Sequence, residues 1–447
     1  MTMAKLWQKS YDTEKRIEEF TIGDDAELDL QLAPFDVLGS LAHIEMLESI
    51  DLLEKDELAV LQKELKRIYK DIQENGFSID KGVEDVHSQV EMLLTKTLGD
   101  VGKKIHSGRS RNDQVLVDLK LYTRHRIQEV VESTEQFFNK LTELAEKHKD
   151  TLIPGYTHLQ VAMPSSFGLW FSAYAESLTD DLNALLAGFK LSNKNPLGSA
   201  AGYGSSFPLN RTMTTELLGF ESLHYNVVYA QLSRGKTEKM VSTGLASIAS
   251  TLGRMAMDTC LYMNQNFGFL TFPDELTTGS SIMPHKKNPD VFELIRGKCN
   301  QLQALPNELQ LLLGNLPSGY HREMQLLKEH FFPAFDTLID SLDIATYMFD
   351  NIIIKDEILK DPKYDYLFTV ETVNNMVLEG IPFRDAYKQV GEVIQSGNYK
   401  AERSVNHTHE GSIGNLCLDE ISANFNQSVK AFNFEGIQKS VDKLIKE

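Results

Sequence analysis

Apolar residues along the middle of the chain fall three and four positions apart rather than on alternate positions. Ile127, Val130, Val131, Thr134, Phe137, Phe138, Leu141, Leu144 and Ala145 form one such stripe, and Val241, Gly244, Leu245, Ile248, Ala249, Leu252, Met255, Ala256 and Thr259 form another. This spacing places each set on one face of a helix. Proline breaks helix interiors, and none occurs between Pro34 and Pro154 or between Pro208 and Pro273. The pattern predicts an all-α chain with five long helices, roughly 113–149, 164–192, 234–265, 289–314 and 329–352. Their lengths suit a bundle with antiparallel neighbours, and Pro306 should kink the fourth. Asn288 and Pro289 read as N-cap and first helical residue of that fourth helix. Shorter helices precede the bundle, one opening at Leu38-Gly39-Ser40-Leu41-Ala42-His43 and one exposed and amphipathic over Glu54 to Glu74; short helices resume after Lys355. The expected division is an N-terminal helical domain over 1–106, a central bundle over 107–354 and a C-terminal helical domain over 355–447.

Composition narrows the function classes. The chain has 447 residues, 42% hydrophobic and 24% charged, with a net charge of −19. A surface that acidic repels phosphate, so nucleic acid is not an expected partner. No apolar run is long enough to span a bilayer, and Met1-Thr2-Met3-Ala4-Lys5-Leu6-Trp7 lacks the apolar core of a secretory signal; the expected address is the cytoplasm. Cys260, Cys299 and Cys417 are far apart and show no metal-ligand spacing, so neither a disulfide nor a metal site is expected. Net acidity does not exclude an anionic substrate where basic residues cluster locally.

The candidate chemistry lies in short polar segments between the helices. Thr278-Gly279-Ser280-Ser281-Ile282-Met283-Pro284-His285-Lys286-Lys287-Asn288 is a loop of hydroxyls and lysines running into a helix that carries Glu293. It is built to close over an anionic ligand and exclude water. His158, beside Thr157, carries a side chain suited to moving protons near pH 7. Arg111 offers a planar fork for a carboxylate, with Asn112 next to it. Tyr320, Gln325 and Lys328 follow the fourth helix, and the last two share a helix face. Taken singly, each of these is equally a surface turn or a solvated helix face.

Together they resemble one family. Ser107-Gly108-Arg109-Ser110-Arg111-Asn112-Asp113-Gln114-Val115, Gly155-Tyr156-Thr157-His158-Leu159-Gln160, the Gly-Ser-Ser-x-Met-Pro-x-Lys-x-Asn run from Gly279, Gln325-x-x-Lys328 and Gly380-Ile381-Pro382-Phe383-Arg384 are similar, in this order, to the argininosuccinate lyase branch of the fumarase/aspartase superfamily. The resemblance implies three all-helical domains, a homotetramer around a 20-helix core, and active sites each assembled from three subunits. It implies reversible β-elimination of argininosuccinate to arginine and fumarate, without cofactor or metal. It assigns the base to Ser280, with Ser281 as the alternative, charge stabilisation to Lys286 and Asn288, and the acid or its relay to His158 polarised by Glu293. Ser107, Arg111, Asn112, Thr157, Tyr320, Gln325 and Lys328 would contact substrate. An adenylosuccinate-cleaving relative and a non-catalytic crystallin-like protein are the alternatives on the same scaffold. The chain departs from the family pattern at Gln8-Lys9-Ser10-Tyr11, at Gly23-Asp24-Asp25 where a substrate-contacting serine is expected, at Ser233-Arg234-Gly235-Lys236, and in the tail after Asn398.

Overall fold

The computed structural model describes residues 15–446, so the N-terminal heptapeptide and the 8–11 departure lie outside the described residues. The five long helices are Arg111–Lys147, Phe167–Ser192, Lys236–Met263, Asp290–Leu312 and Leu327–Asp350, called here the first to fifth bundle helices. Among the described residues, β-structure is confined to three two-stranded sheets and two isolated bridges, Thr278 with Asn288 and Ser412 with Asn415. No helix there is long and apolar enough to cross a membrane.

Close backbone approach fixes the direction of each helix. A Cβ on Gly168 would lie 2.5 Å from Lys149 Cα, one on Gly188 2.8 Å from Val241 Cα, and one on Gly244 2.4 Å from Leu185 Cα. Gly253 abuts the Cys299 side chain and Gly235 that of Leu313. The first four helices therefore alternate in direction. The fifth runs parallel to the first, with Tyr122 against Phe332 at a centroid distance of 4.2 Å and Lys140 paired with Asp350 at 2.6 Å. One end of the bundle, the lower, gathers the starts of the first, third and fifth helices; the other, the upper, gathers the start of the fourth. The C-terminal helices Leu418–Lys430 and Phe434–Ile445 return to this core, Phe425 stacking on Phe138 at 3.8 Å. Val373, Ala386 and Val390 form a small separate cluster.

Three expectations are corrected. The fourth helix begins at Asp290, with Pro289 before its first turn and no side-chain cap; Asn288 turns its amide back to Thr278 Oγ1 and Gly279 O instead. That helix carries Pro306 in its interior, at the position where a kink is expected. Leu38 to His43 lie inside the helix Ala33–Ser49 rather than at its start. The segment around His158, expected as a loop, is an antiparallel hairpin of Leu152–Thr157 with Gln160–Ser166. Pro154 opposite Pro164 and a register shift before Tyr156 hid the alternation. The turn residues His158 and Leu159 both have positive φ, 54° and 58°, a conformation that usually signals Asn-Gly.

The packing predicts a contrast between two glycines. Gly244→Ala forces a Cβ into backbone and should cost about 1–3 kcal/mol, whereas Gly391→Ala, with nothing within 4 Å, should be neutral or gain up to about 1 kcal/mol from helix propensity. Urea melts of the two variants test this, and equal losses would contradict the backbone contact.

Candidate functional site

At the lower end of the bundle, a cavity of about 170 Å³ brings together Arg111, Asn112, Tyr320, Gln325 and Lys328, all of them expected from the sequence. Asn112 reaches it because Ser110 caps the first bundle helix, its Oγ accepting from Asn112 N at 3.3 Å while Asp113 Oδ1 accepts from Ser110 N at 2.8 Å. The other oxygen of the fully buried Asp113 accepts from the amides of Gly198 and Ala200, both at 3.1 Å, and so clasps the 198–200 loop to the same helix start. Ser107 stands beside this turn rather than in the cavity lining, its carbonyl accepting from the buried His43 Nε2 at 2.9 Å. Burial and the neighbouring Arg109 push His43 well below the usual histidine range, so the ring is neutral there.

The cavity also contains Asp29, Glu84, Asp85 and Arg322, which the sequence patterns did not single out, and Asp25 and Arg234, which they met only as departures from the family pattern. Arg111 donates to Glu84 at 2.8 Å and to Ser88 Oγ at 2.6 Å, with Asp85 at 3.1 Å. Gln325 donates to the carbonyls of Ile22 at 2.8 Å and Thr21 at 3.2 Å. Lys328 lies between Asp25 and Asp29. Arg234 donates to Met324 O at 3.2 Å and lies 5.3 Å from the Tyr320 ring centroid. With Arg322, four acids face four bases, a lining matched to a zwitterion rather than to a simple anion. The only sequence signal for Arg234 was its departure from the family pattern.

Behind this wall, His87 Nδ1 lies 2.7 Å from Asp36 and 3.4 Å from Asp118, with all three side chains buried. Burial alone would depress the imidazole, but Asp36, Asp118 and Asp85 together raise it to about 9. These three groups are close enough to hold a cation, yet the protonated ring already places a positive charge beside Asp36, while burial and the neighbouring Asp36 push the Asp118 carboxyl well up. The cluster ties the helices Val86–Leu98, Ala33–Ser49 and the first bundle helix together behind Arg111.

The remaining candidates lie at the upper end. Ser280 Oγ accepts from the amides of Ile282 at 3.3 Å and Met283 at 3.2 Å. Asn288 N donates to Thr278 O at 2.8 Å, and Thr278 Oγ1 bonds Asp290, closing the base of the loop. Ser281 and Lys286 are exposed on this loop, Ile282 is 82% exposed, and Glu293 faces solvent one turn into the helix. Lys287 pairs with Asp274, while Lys286 has no ion pair or side-chain hydrogen bond among the described residues. Thr157 and His158 sit exposed at the hairpin tip. No contact joins His158 to Glu293 among the described residues of one chain.

Over residues 3–304 the sequence matches the lyase family. The argininosuccinate lyase of Bacteroides fragilis is 61% identical over 441 residues, 99% of each chain. The chain belongs to the argininosuccinate lyase family. The argininosuccinate lyase of Stenotrophomonas maltophilia is 38% identical over 94% of this chain and 98% of its own. Among solved structures, an EDDS lyase in complex with formate superposes with a TM-score of 0.76 at 20% identity over 97% of each chain, and the class II fumarase of Schistosoma mansoni with 0.69 at 16% over 90% of each. These two show that the helical fold is common to enzymes far from the argininosuccinate lyases in sequence.

The His87 cluster predicts a pH signature. A group whose pKa is raised on folding stabilises fully below its unfolded value and ceases to do so above its folded one. Its contribution should therefore be complete below about pH 6.5 and disappear as pH rises through about 9. Urea midpoints of the wild type should fall across that window by more than those of His87→Gln; parallel curves would show that His87 is not charged in the fold.

Proposed function

We propose that the chain catalyses the reversible β-elimination of argininosuccinate to arginine and fumarate. The observation that carries this is full-length membership of the argininosuccinate lyase family together with retention of His158, Ser280, Lys286, Asn288, Glu293 and the lower-end set. The reaction removes a proton from the carbon beside a succinyl carboxylate, leaving a doubly charged aci-carboxylate. A serine acts as base only where its alkoxide is stabilised. The Ile282 and Met283 amides directed at Ser280 Oγ supply that stabilisation, and among the described residues Ser281 has no corresponding pair of amides. Lys286 carries the free charge suited to the developing aci-carboxylate, and Asn288 holds the loop base in register beside it. His158 protonates the leaving guanidino nitrogen or relays that proton, oriented by Glu293. The lower-end cavity receives the amino-acid end of the substrate.

This assignment requires more than one chain per site. The fourth bundle helix has 23 residues and spans roughly 35 Å at 1.5 Å per residue, so the Ser280 loop and the Lys328 cavity of one chain cannot touch one argininosuccinate. Homotetramers in which the upper end of one chain meets the lower end of another resolve the separation. Met257, Leu294, Leu311 and Tyr347, apolar yet exposed on the third, fourth and fifth helices, are available for such contacts. We place this enzyme in the cytoplasm.

Ultraviolet detection of fumarate with argininosuccinate, adenylosuccinate, aspartate and malate in turn tests the reaction: release from argininosuccinate alone is expected, and release from adenylosuccinate instead would replace the substrate. Ser280→Ala should lower kcat by orders of magnitude without changing the melting temperature. Lys286→Met should lose about 2–4 kcal/mol of transition-state stabilisation, on the order of a hundredfold or more in rate. Lys287→Met should lose far less, because Lys287 is spent on an exposed pair with Asp274; the reverse order would mean that the loop is one residue out of register. For site sharing, mixed and reassembled His158→Asn and Ser280→Ala proteins should regain a fraction of wild-type turnover that neither shows alone.

A further inference from the structure

Lys328 is a buried cation of the lower-end cavity, and in this structure two carboxylates of its own chain already pair with it. The two are not equivalent. Asp29 is 3% exposed and accepts a hydrogen bond from Lys328. The Asp25 side chain is 24% exposed, and its Oδ1 touches the ammonium without an aligned donor. Asp25 is thus held by its ion pair with Lys328 and by no other side chain among the described residues. It is also the first residue of a five-residue helix, Asp25–Asp29, whose preceding Asp24 makes no side-chain cap. Gly23 before it has a φ of 53° and open space around it. Burial pushes the Asp25 carboxyl up, against the pull of Lys328, so this carboxylate is poorly compensated where it lies. Asp29 would keep Lys328 paired if Asp25 left.

Resting on the lyase function proposed above, we propose that Asp25 is a specificity-determining residue: an internal carboxylate that occupies the Lys328 seat taken by a substrate carboxylate and must swing out for the substrate to enter. A chain whose binding-competent form is only partly populated binds with an affinity reduced by that fraction. The Asp25 contact therefore weakens binding of every carboxylate ligand, and only one with further contacts in the cavity, such as an amino acid meeting the remaining acids, displaces it well. Gln325, held by the Thr21 and Ile22 carbonyls, keeps the backbone of this segment in place while the side chain moves.

The sign of the effect separates this role from an ordinary contact. If Asp25 competes, removing its charge tightens binding; if Asp25 holds the substrate, removing it weakens binding. Calorimetric titration of L-arginine into the full-length enzyme is expected to give a Kd lower by on the order of tenfold in Asp25→Asn, and likewise in Asp25→Ser should the amide disturb the helix start. KM for argininosuccinate should fall with no matching rise in kcat, while Lys328→Met loses arginine binding. An unchanged or weaker Kd in a folded Asp25→Asn protein overturns the proposal. If the wild type still released fumarate from argininosuccinate, the lyase function would survive that result; a wild type that neither turned over argininosuccinate nor bound arginine would remove both.

Discussion

A helix cannot be compressed, and the fourth bundle helix imposes its length on everything this chain can do. It separates a hydroxyl- and lysine-bearing loop at one end from a cavity of paired charges at the other. Neither half resembles a complete site. The loop has a polarised serine and an unpaired lysine but little to orient a substrate, whereas the cavity has many orienting groups but no evident base. The same rigidity that prevents the halves from meeting within one chain holds each of them accurately, since both are anchored at helix starts. Asp113 shows how this is done at the cavity end, where one buried carboxylate caps the first bundle helix and clasps the 198–200 loop.

Charge is organised in the same divided way. A net charge of −19 describes the whole surface and says little about the ligand, because the cavity itself balances four acids against four bases. Arg111 is held by Glu84 and Asp85, with the protonated His87 and its two aspartates packed behind them. The positive groups facing the ligand are thereby fixed before it arrives, which lowers the reorganisation needed on binding. The upper-end loop is the opposite case: it is exposed, and Lys286 has no fixed partner there.

The bundle was legible in the sequence because period-3.6 stripes and proline gaps are strong signals, and the helix ends came within a few residues. What escaped was non-periodic. The hairpin carried two prolines and a turn without glycine, so neither alternation nor turn chemistry exposed it. Asn288 looked like a cap, but its side chain found better acceptors across the loop at Thr278 and Gly279. Of the cavity, the residues belonging to recognisable motifs were found, while Asp29, Glu84 and Asp85 were not and Asp25 showed only as a departure from the family pattern, since acids in a short helix or a loop read as solvated surface until the fold turns them inward. The division of the site between the two ends could not be read from spacing along the chain, because it depends on which way each helix runs.

The hairpin tip has a consequence for how such sequences drift. His158 and Leu159 both occupy left-handed backbone, which costs an L-residue with a Cβ on the order of 1 kcal/mol or more, and Leu159 is 78% exposed. Asparagine and glycine would relieve that strain, so folding alone gives no reason to keep this pair. In the function proposed above, the imidazole of His158 supplies that reason. In a lineage on this scaffold released from that demand, this turn is among the first places where replacement would be favoured, and its two residues therefore serve as a marker of whether a given descendant is still under catalytic constraint.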